Sequence, residues 1–383
     1  MSGQFDFDAP LERRGTDSEK WGRWAGRDVL PLWVADMDFA APPPVIAALR
    51  ARVEHGVFGY AQPDDDLTRV LVEALGRSCR WMIDPDWIVW LPGLVCGLTV
   101  ACRAVGVPGD GVVVMPPVYG PFLRVPSLVE RLVKPAPLAG DNVVGWRLDP
   151  GAIEKAAAAA RLLLWCHPHN PVGRAWRLDE LAELAALAER HDLVVCSDEI
   201  HSQLLLEPGA THVPLACLSE SMATRTITLV APSKTFNLPG LGCAAAIIAD
   251  ADLRARFGRA MAGTVPHVNV LGLVAARAAW SEGGPWLAEL LTYLRGNRDY
   301  LAGRLASLPG VTMAAVEATY LAWLDVRAWP VPDPHAHAVA HGLGLSDGRD
   351  FGAPGYLRLN FGCPRHALAE ACDRLAIAAT ALA

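Results

Sequence analysis

The stretch Ala231-Pro232-Ser233-Lys234-Thr235-Phe236-Asn237 places a lysine just beyond an apolar, β-branched run, Thr226-Ile227-Thr228-Leu229-Val230. Such a run reads as a buried strand, so Lys234 stands in the turn at its end. Lysine is strongly hydrated and seldom buried without a reason. Delivered to a sheet edge by an apolar strand, its amine can be held where it loses its proton. A neutral amine forms a Schiff base with an aldehyde. A surface lysine in a loop fits the same residues, and this stretch alone does not separate the two readings.

Other predicted strand ends carry groups of similar interest. Leu193-Val194-Val195-Cys196-Ser197 runs into Asp198-Glu199-Ile200-His201, and an acid directly after an apolar strand needs a partner or a ligand. Arg161 to Cys166 runs into His167-Pro168-His169-Asn170-Pro171-Val172-Gly173-Arg174. Prolines and a glycine forbid regular structure there and hold Asn170 with its amide free to donate. Val112 to Met115 leads to Tyr119, set among prolines, which can stack on a flat ligand or serve as a surface turn residue. Trp87 to Leu91 ends at Pro92-Gly93 before an apolar helix from Leu94 to Val105. Strand, glycine turn and helix can offer free N–H groups to a phosphate, although most such turns are structural. Arg358 lies within the alternating strand Tyr356 to Phe361, either as a solvated edge charge or as a bidentate carboxylate clamp.

The elements that must position these groups follow from periodicity. Between about residues 87 and 250, short apolar strands alternate with helices such as Leu178–Arg190, whose leucines share one face. This predicts an α/β fold with a mainly parallel sheet flanked by helices on both faces. Ligands in such folds sit beyond the carboxyl ends of the strands. Gly93, Tyr119, Asn170, Asp198 and Lys234 all lie just past predicted strands, so they can converge on one site. Residues 301–383 change to a smaller α+β character. The expected division is an N-terminal arm over 1–44, a large unit over 45–275 and a small C-terminal unit over 276–383. In the arm, Trp33 to Phe39 is either a packed tail or a segment whose backbone borders the site.

Composition narrows the classes. The chain has 383 residues, 52% apolar and 20% charged, which is enough for a large core and speaks against disorder. A net charge of −7 with no long basic run speaks against nucleic acid or an anionic membrane as the main partner. Met1 to Lys20 lacks a basic start followed by an apolar core, and no uncharged apolar stretch is long enough to span a bilayer. A cytoplasmic protein is therefore expected. The nine cysteines form no CxxC pair and read as small core residues in a reducing compartment. His337 and His341 have a helical i, i+4 spacing, but only Asp333 accompanies them, so no metal site is expected.

These residues resemble those of the fold-type I pyridoxal-phosphate enzymes, the class I/II aminotransferase-like superfamily. Within it they resemble the cystathionine β-lyase and cysteine-S-conjugate β-lyase branch, from about Leu30 to Arg365. The likeness rests on Trp33-Val34-Ala35-Asp36-Met37-Asp38-Phe39, Phe58-Gly59-Tyr60, Pro116-Pro117-Val118-Tyr119, His169-Asn170-Pro171-Val172-Gly173-Arg174, Ser197-Asp198-Glu199-Ile200-His201, Ser233-Lys234-Thr235-Phe236-Asn237 and Arg358-Leu359-Asn360-Phe361-Gly362-Cys363-Pro364-Arg365. The Ala-Asp-Met-Asp-Phe and Ser-Asp-Glu-Ile-His forms are the more specific to the branch.

The resemblance implies pyridoxal 5'-phosphate bound covalently by Lys234. It implies that Asp198 pairs with the pyridine nitrogen, that Asn170 and His201 face the ring oxygen, and that Tyr119 stacks on the ring. Backbone N–H groups of Leu94 and Val95 and the Ser233 hydroxyl would take the phosphate. Tyr60 would reach the phosphate of a neighbouring subunit, which implies a homodimer with shared sites. Arg358 would clamp the carboxylate of an amino-acid substrate, with Ala35 beside it. Many superfamily members have a phosphate-binding arginine where this chain has Gly242. The implied reaction is β-elimination from a cysteine thioether, giving thiol, pyruvate and ammonia. Transamination shares the site up to removal of the Cα proton. Decarboxylation or oxidative deamination of a specialised cysteine S-conjugate is a further reading within the branch. A binding protein that keeps the cofactor without catalysis is a reading of another class.

Overall fold

The computed structural model describes residues 4–382. Residues 1–3 and 383, the outermost positions of the expected arm and C-terminal unit, lie outside the described residues. The strands in chain order are β1 (Leu30–Pro31), β2 (Ile88–Leu91), β3 (Gly111–Val114), β4 (Leu132–Pro135), β5 (Ala160–Cys166), β6 (Val194–Asp198), β7 (Thr226–Val230), β8 (Ala244–Ile247), β9 (Thr312–Met313), β10 (Leu321–Asp325), β11 (Leu343–Gly344), β12 (Ser346–Asp347) and β13 (Tyr356–Asn360).

Seven of them form one sheet in the order β2-β8-β7-β6-β5-β3-β4. The pairs from β7 through β4 are parallel, whereas β8 runs antiparallel to both β7 and β2. Both faces are covered, which is why the central strands read as continuous apolar runs. On β5, Leu162 and Leu164 join the core under the helix Leu94–Ala104. Leu163 and Trp165 point the other way, into the core under the helix Leu178–Arg190. The first of these helices lies close on the sheet because Gly97 has no side chain: a Cβ there would sit 2.9 Å from Leu229 Cδ2.

A second sheet, β12-β13-β10-β9, is antiparallel throughout and lies near the C-terminus with the helices Gly284–Leu305 and Arg365–Thr380. The N-terminal segment joins this region by parallel pairing of β1 with β11. Residue 275 falls inside the helix Val270–Glu282, which packs on the helices Pro43–His55 and Asp65–Cys79. Among the described residues, no helix is long and apolar enough to cross a membrane.

Helix starts follow ordinary capping chemistry. Asp64 accepts the Leu67 N–H at the start of Asp65–Cys79, and Pro43 opens Pro43–His55 where its missing N–H costs nothing. Leu94–Ala104 is one of several helices that no side chain caps, and it bears on function because its first turn opens on the cavity described below.

Candidate active site

A cavity of 610 Å³ lies at the carboxyl end of the main sheet. The strands aim their following residues into it: Gly93 after β2, Tyr119 after β3, Asn170 after β5, Asp198 as the last residue of β6, and Lys234 after β7. His201, Ser233, Leu94, Val95, Arg358 and Ala35 also line it. Of the residues expected at the site, Tyr60 alone is elsewhere. It stands fully exposed, at 106% relative accessibility, in the loop after the helix Pro43–His55.

Lys234 is the residue around which the cavity is arranged. Its Nζ donates to the Ala35 carbonyl at 2.6 Å. Burial lowers its pKa to about 8, helped by the Arg358 charge and opposed by Asp36 and Asp198. Asp198 moves the other way. Burial raises its carboxyl to about 7, against the pull of the Ile200 N–H at 3.2 Å. A carboxylate with so little local solvation is suited to a cationic nitrogen held against it. His201 is kept neutral, its pKa lowered to about 3 by burial and then by Lys234 and Arg358. Its Nδ1 is buried without a hydrogen-bond partner.

Arg358 is 4% exposed, so it is no solvated edge charge. It donates to Asn170 Oδ1 at 3.0 Å, to the Trp33 carbonyl at 2.7 Å and to Ser346 Oγ at 3.2 Å. Because the Asn170 oxygen is taken, its NH₂ is the group available to a ligand. The Tyr119 N–H in turn donates to the Asn170 carbonyl at 3.0 Å, which couples the ends of β3 and β5.

A further wall is made by Trp33 to Ala35, and the segment Trp33 to Phe39 that carries them is held through its backbone carbonyls and through two aspartates. Tyr320 donates its hydroxyl to the same Ala35 carbonyl at 2.9 Å. Asn360 donates to the Val34 and Asp36 carbonyls, and Asn237 to those of Met37 and Phe39. The two aspartates of the motif face away from the cavity chemistry. Asp38 pairs with Lys20 at 2.7 Å and Arg13 at 2.6 Å, and Asp36 pairs with Arg13 at 2.6 Å. Lys20 is fully buried. The roles of Tyr320, Asn360 and Asn237 escape a reading of the sequence, since a bond to a backbone carbonyl leaves no residue-type signature on the accepting side. Lys20 and Arg13 escape it because their aspartates are sequence-distant and no periodicity links them.

The cavity lining also includes Leu94 and Val95 at the uncapped N-terminus of Leu94–Ala104, and Ser233. Uncapped N–H groups and the helix dipole favour an anion there. Gly242 also lines the cavity, with φ +44°. A Cβ at this position would come within 2.9 Å of the Pro92 carbonyl oxygen, so an arginine does not fit this backbone.

An acid for a ring nitrogen, an amine for an aldehyde, donors for a ring oxygen, an aromatic side chain and an anion cradle thus occur together. The donor set fits an aromatic aldehyde that carries a phosphate.

The histidines at 335–341 do something else. His337 Nε2 faces the Ala378 carbonyl at 2.9 Å, and His341 Nδ1 faces the His337 carbonyl at 2.9 Å. Asp333, His335 and Asp347 do approach one another, but both carboxylates already pair with Arg349.

Comparison with known proteins agrees with the geometry. Residues 27–375 match the family model for aminotransferase class I and II. The chain is 37% identical to cystathionine β-lyase PatB of Bacillus subtilis (strain 168), over 97% of this chain and 98% of that one. It is similar in structure to OvoB, with a TM-score of 0.95 and 47% identity, covering 98% and 99% of the two chains. It is likewise similar to cystalysin from Treponema denticola, a structure that contains pyridoxal 5'-phosphate, with a TM-score of 0.94 and 31% identity over 99% and 100% of the chains.

Proposed function

The chain belongs to the class I and II aminotransferase family, and from that premise we propose that it is a pyridoxal-phosphate-dependent carbon–sulfur β-lyase. It cleaves L-cystathionine or a related cysteine S-conjugate to a thiol, pyruvate and ammonia. The observation that carries this reading is the convergence of Lys234, Asp198 and Arg358 on one cavity. The full-length likeness to PatB chooses the lyase branch.

Lys234 would hold the cofactor through its aldehyde, and Asp198 would pair with the ring nitrogen. Asn170 and His201 would serve the ring oxygen, and Tyr119 would cover the ring face. The amides of Leu94 and Val95, with the Ser233 hydroxyl, would take the phosphate. When bound, pyridoxal phosphate supplies a protonated ring that draws electron density from the substrate Cα. Arg358 grips the substrate carboxylate, with the Ala35 backbone beside it. The amine of Lys234, freed when the substrate amine takes its place at the cofactor aldehyde and disfavoured as a cation by burial, would accept the Cα proton. The Cβ–S bond then breaks with its electron pair on sulfur, and the released enamine hydrolyses to pyruvate and ammonia. A thioether suits this step because a thiolate leaves far more readily than an alkyl group.

The working unit is a homodimer in which Tyr60 of one subunit reaches the phosphate of the other. Full exposure of Tyr60 supports this. A reducing cytoplasm suits a chain whose nine cysteines are all free.

Incubating the holoenzyme with L-cystathionine and with S-alkyl cysteines tests the proposal. Equal amounts of pyruvate and free thiol are expected. Turnover that requires an added keto acid and yields no pyruvate turns the assignment to an aminotransferase.

A further inference from the structure

The cavity does not stop at Arg358. It opens outward past Tyr119 and Trp33 to a rim that carries Glu19, Arg23, Arg124 and Asp350. The mechanism uses none of these four. The ion pairs at this rim join Arg349 to Asp333 and Asp347, and they leave the four without a salt bridge among the described residues. Two positive and two negative side chains therefore face one opening without cancelling in pairs.

Their placement is built into the fold. Arg124 lies one turn into the helix Gly120–Leu128, and its guanidinium folds back over Gly120. A Cβ at Gly120 would stand 3.0 and 3.1 Å from the two Arg124 terminal nitrogens and 2.9 Å from the Asp350 carbonyl oxygen. Glycine at 120 thus lets the guanidinium and the Asp350 backbone close in at the mouth. Asp350 precedes Phe351, whose ring lies under Arg358 with 4.7 Å between guanidinium carbon and ring centre. Arg23 is spread over Trp33, 4.4 Å from its ring centre, so its charge is held beside another residue of the cavity lining.

We infer that this rim is a second recognition site, for a thiol half that is itself zwitterionic, carrying an ammonium and a carboxylate as an amino acid does. Arg124 and Arg23 take the distal carboxylate, and Glu19 and Asp350 take the distal ammonium. The inference rests on the lyase reading, because a substrate whose carboxylate is held by Arg358 sends its leaving group towards this mouth. Uncharged S-alkyl groups leave all four charges unpaired by the substrate, which is how the rim discriminates.

The test compares three kinds of thioether with the holoenzyme: L-cystathionine, S-butyl-L-cysteine, and cysteine thioethers ending in one carboxylate or one ammonium only. L-cystathionine is expected to exceed the others in kcat/KM by about tenfold or more, the scale of one charge-assisted hydrogen bond. Arg124→Ala, Glu19→Gln and Asp350→Asn are each expected to lower the ratio of L-cystathionine to S-butyl-L-cysteine by about tenfold. Damage to folding alone lowers both rates and leaves the ratio where it was. An unchanged ratio in all three variants, or a singly charged thioether that matches L-cystathionine, overturns the inference. If no thioether yields pyruvate, the lyase reading falls by itself. The rim is then judged by equilibrium binding of the same compounds to cofactor-loaded Lys234→Ala, where the same order of affinities is expected and an equal affinity for all refutes it.

Discussion

At the residue scale, the lowered pKa of Lys234 has a direct kinetic consequence. The amine is charged below about pH 8 and neutral above it, whereas an ordinary lysine stays charged to about 10.5. Only the neutral amine attacks an aldehyde. The rate at which cofactor-free protein takes up pyridoxal phosphate is therefore expected to rise with pH and level off above about 8. A midpoint near 10.5 would show that burial and Arg358 do not act on this amine. If Arg358 grips the substrate carboxylate as proposed, Arg358→Ala is expected to raise KM for L-cystathionine by roughly 10- to 100-fold, since hydrogen bonds to charged groups contribute about 1.5–3 kcal/mol. Titration of initial rates against substrate checks it. Legibility at this scale was uneven. Lys234, Asp198, Asn170 and Tyr119 could be read because an apolar run marks where a strand ends, and chemistry gathers there. Tyr320 and Asn360 could not, because their partners are carbonyls that every residue owns.

At the scale of elements, the segment Trp33 to Phe39 makes a cavity wall without being a helix or a strand. Its order comes from outside, and its ionic anchor is the pairing of Lys20 and Arg13 with Asp36 and Asp38. Lys20→Ala leaves Asp38 buried with one partner fewer and is expected to destabilise the protein by about 3–5 kcal/mol in denaturant titrations. The pH dependence has a definite sign. Burial pushes the Asp38 carboxyl up, but the Lys20 charge and hydrogen bond, with Trp21 and Arg13, bring it below its usual value. This contribution is complete above the ordinary carboxylate range, about pH 4, and is lost as pH falls below it. Acid titration of wild type against the Lys20 variant shows the difference closing at low pH. Periodicity revealed the helices Pro43–His55, Leu94–Ala104 and Leu178–Arg190 and the strands β2, β3, β5, β6, β7, β10 and β13 to within a residue or two. It missed β4 and β8, a lysine- and proline-bearing edge strand and an alanine-rich one, because neither has the β-branched run that marks a strand. It also missed β1, β9, β11 and β12, each only two residues long, because so short a pairing has no period to detect.

At the scale of the whole molecule, Tyr60 projects from one surface while the cavity faces another part of the same chain. Subunits with Tyr60→Ala and subunits with Lys234→Ala are each expected to be poorly active alone. Unfolding and refolding them together is expected to restore a fraction of wild-type pyruvate production, because a mixed dimer of the proposed kind would contain one site with both residues intact. Absence of any recovery would show that Tyr60 does not serve the site of a second subunit. The same long-range construction sets a timetable for synthesis on the ribosome. Trp33 is made early, yet its carbonyl is held by Arg358 and Ser346, and Val34 waits for Asn360. A nascent chain can carry Lys234 for more than a hundred residues of elongation without the arginine and asparagine that finish the pocket. Premature termination between Lys234 and Asn360 yields a product with the reactive amine but an unfinished wall, so competence arrives only with a nearly complete translation product.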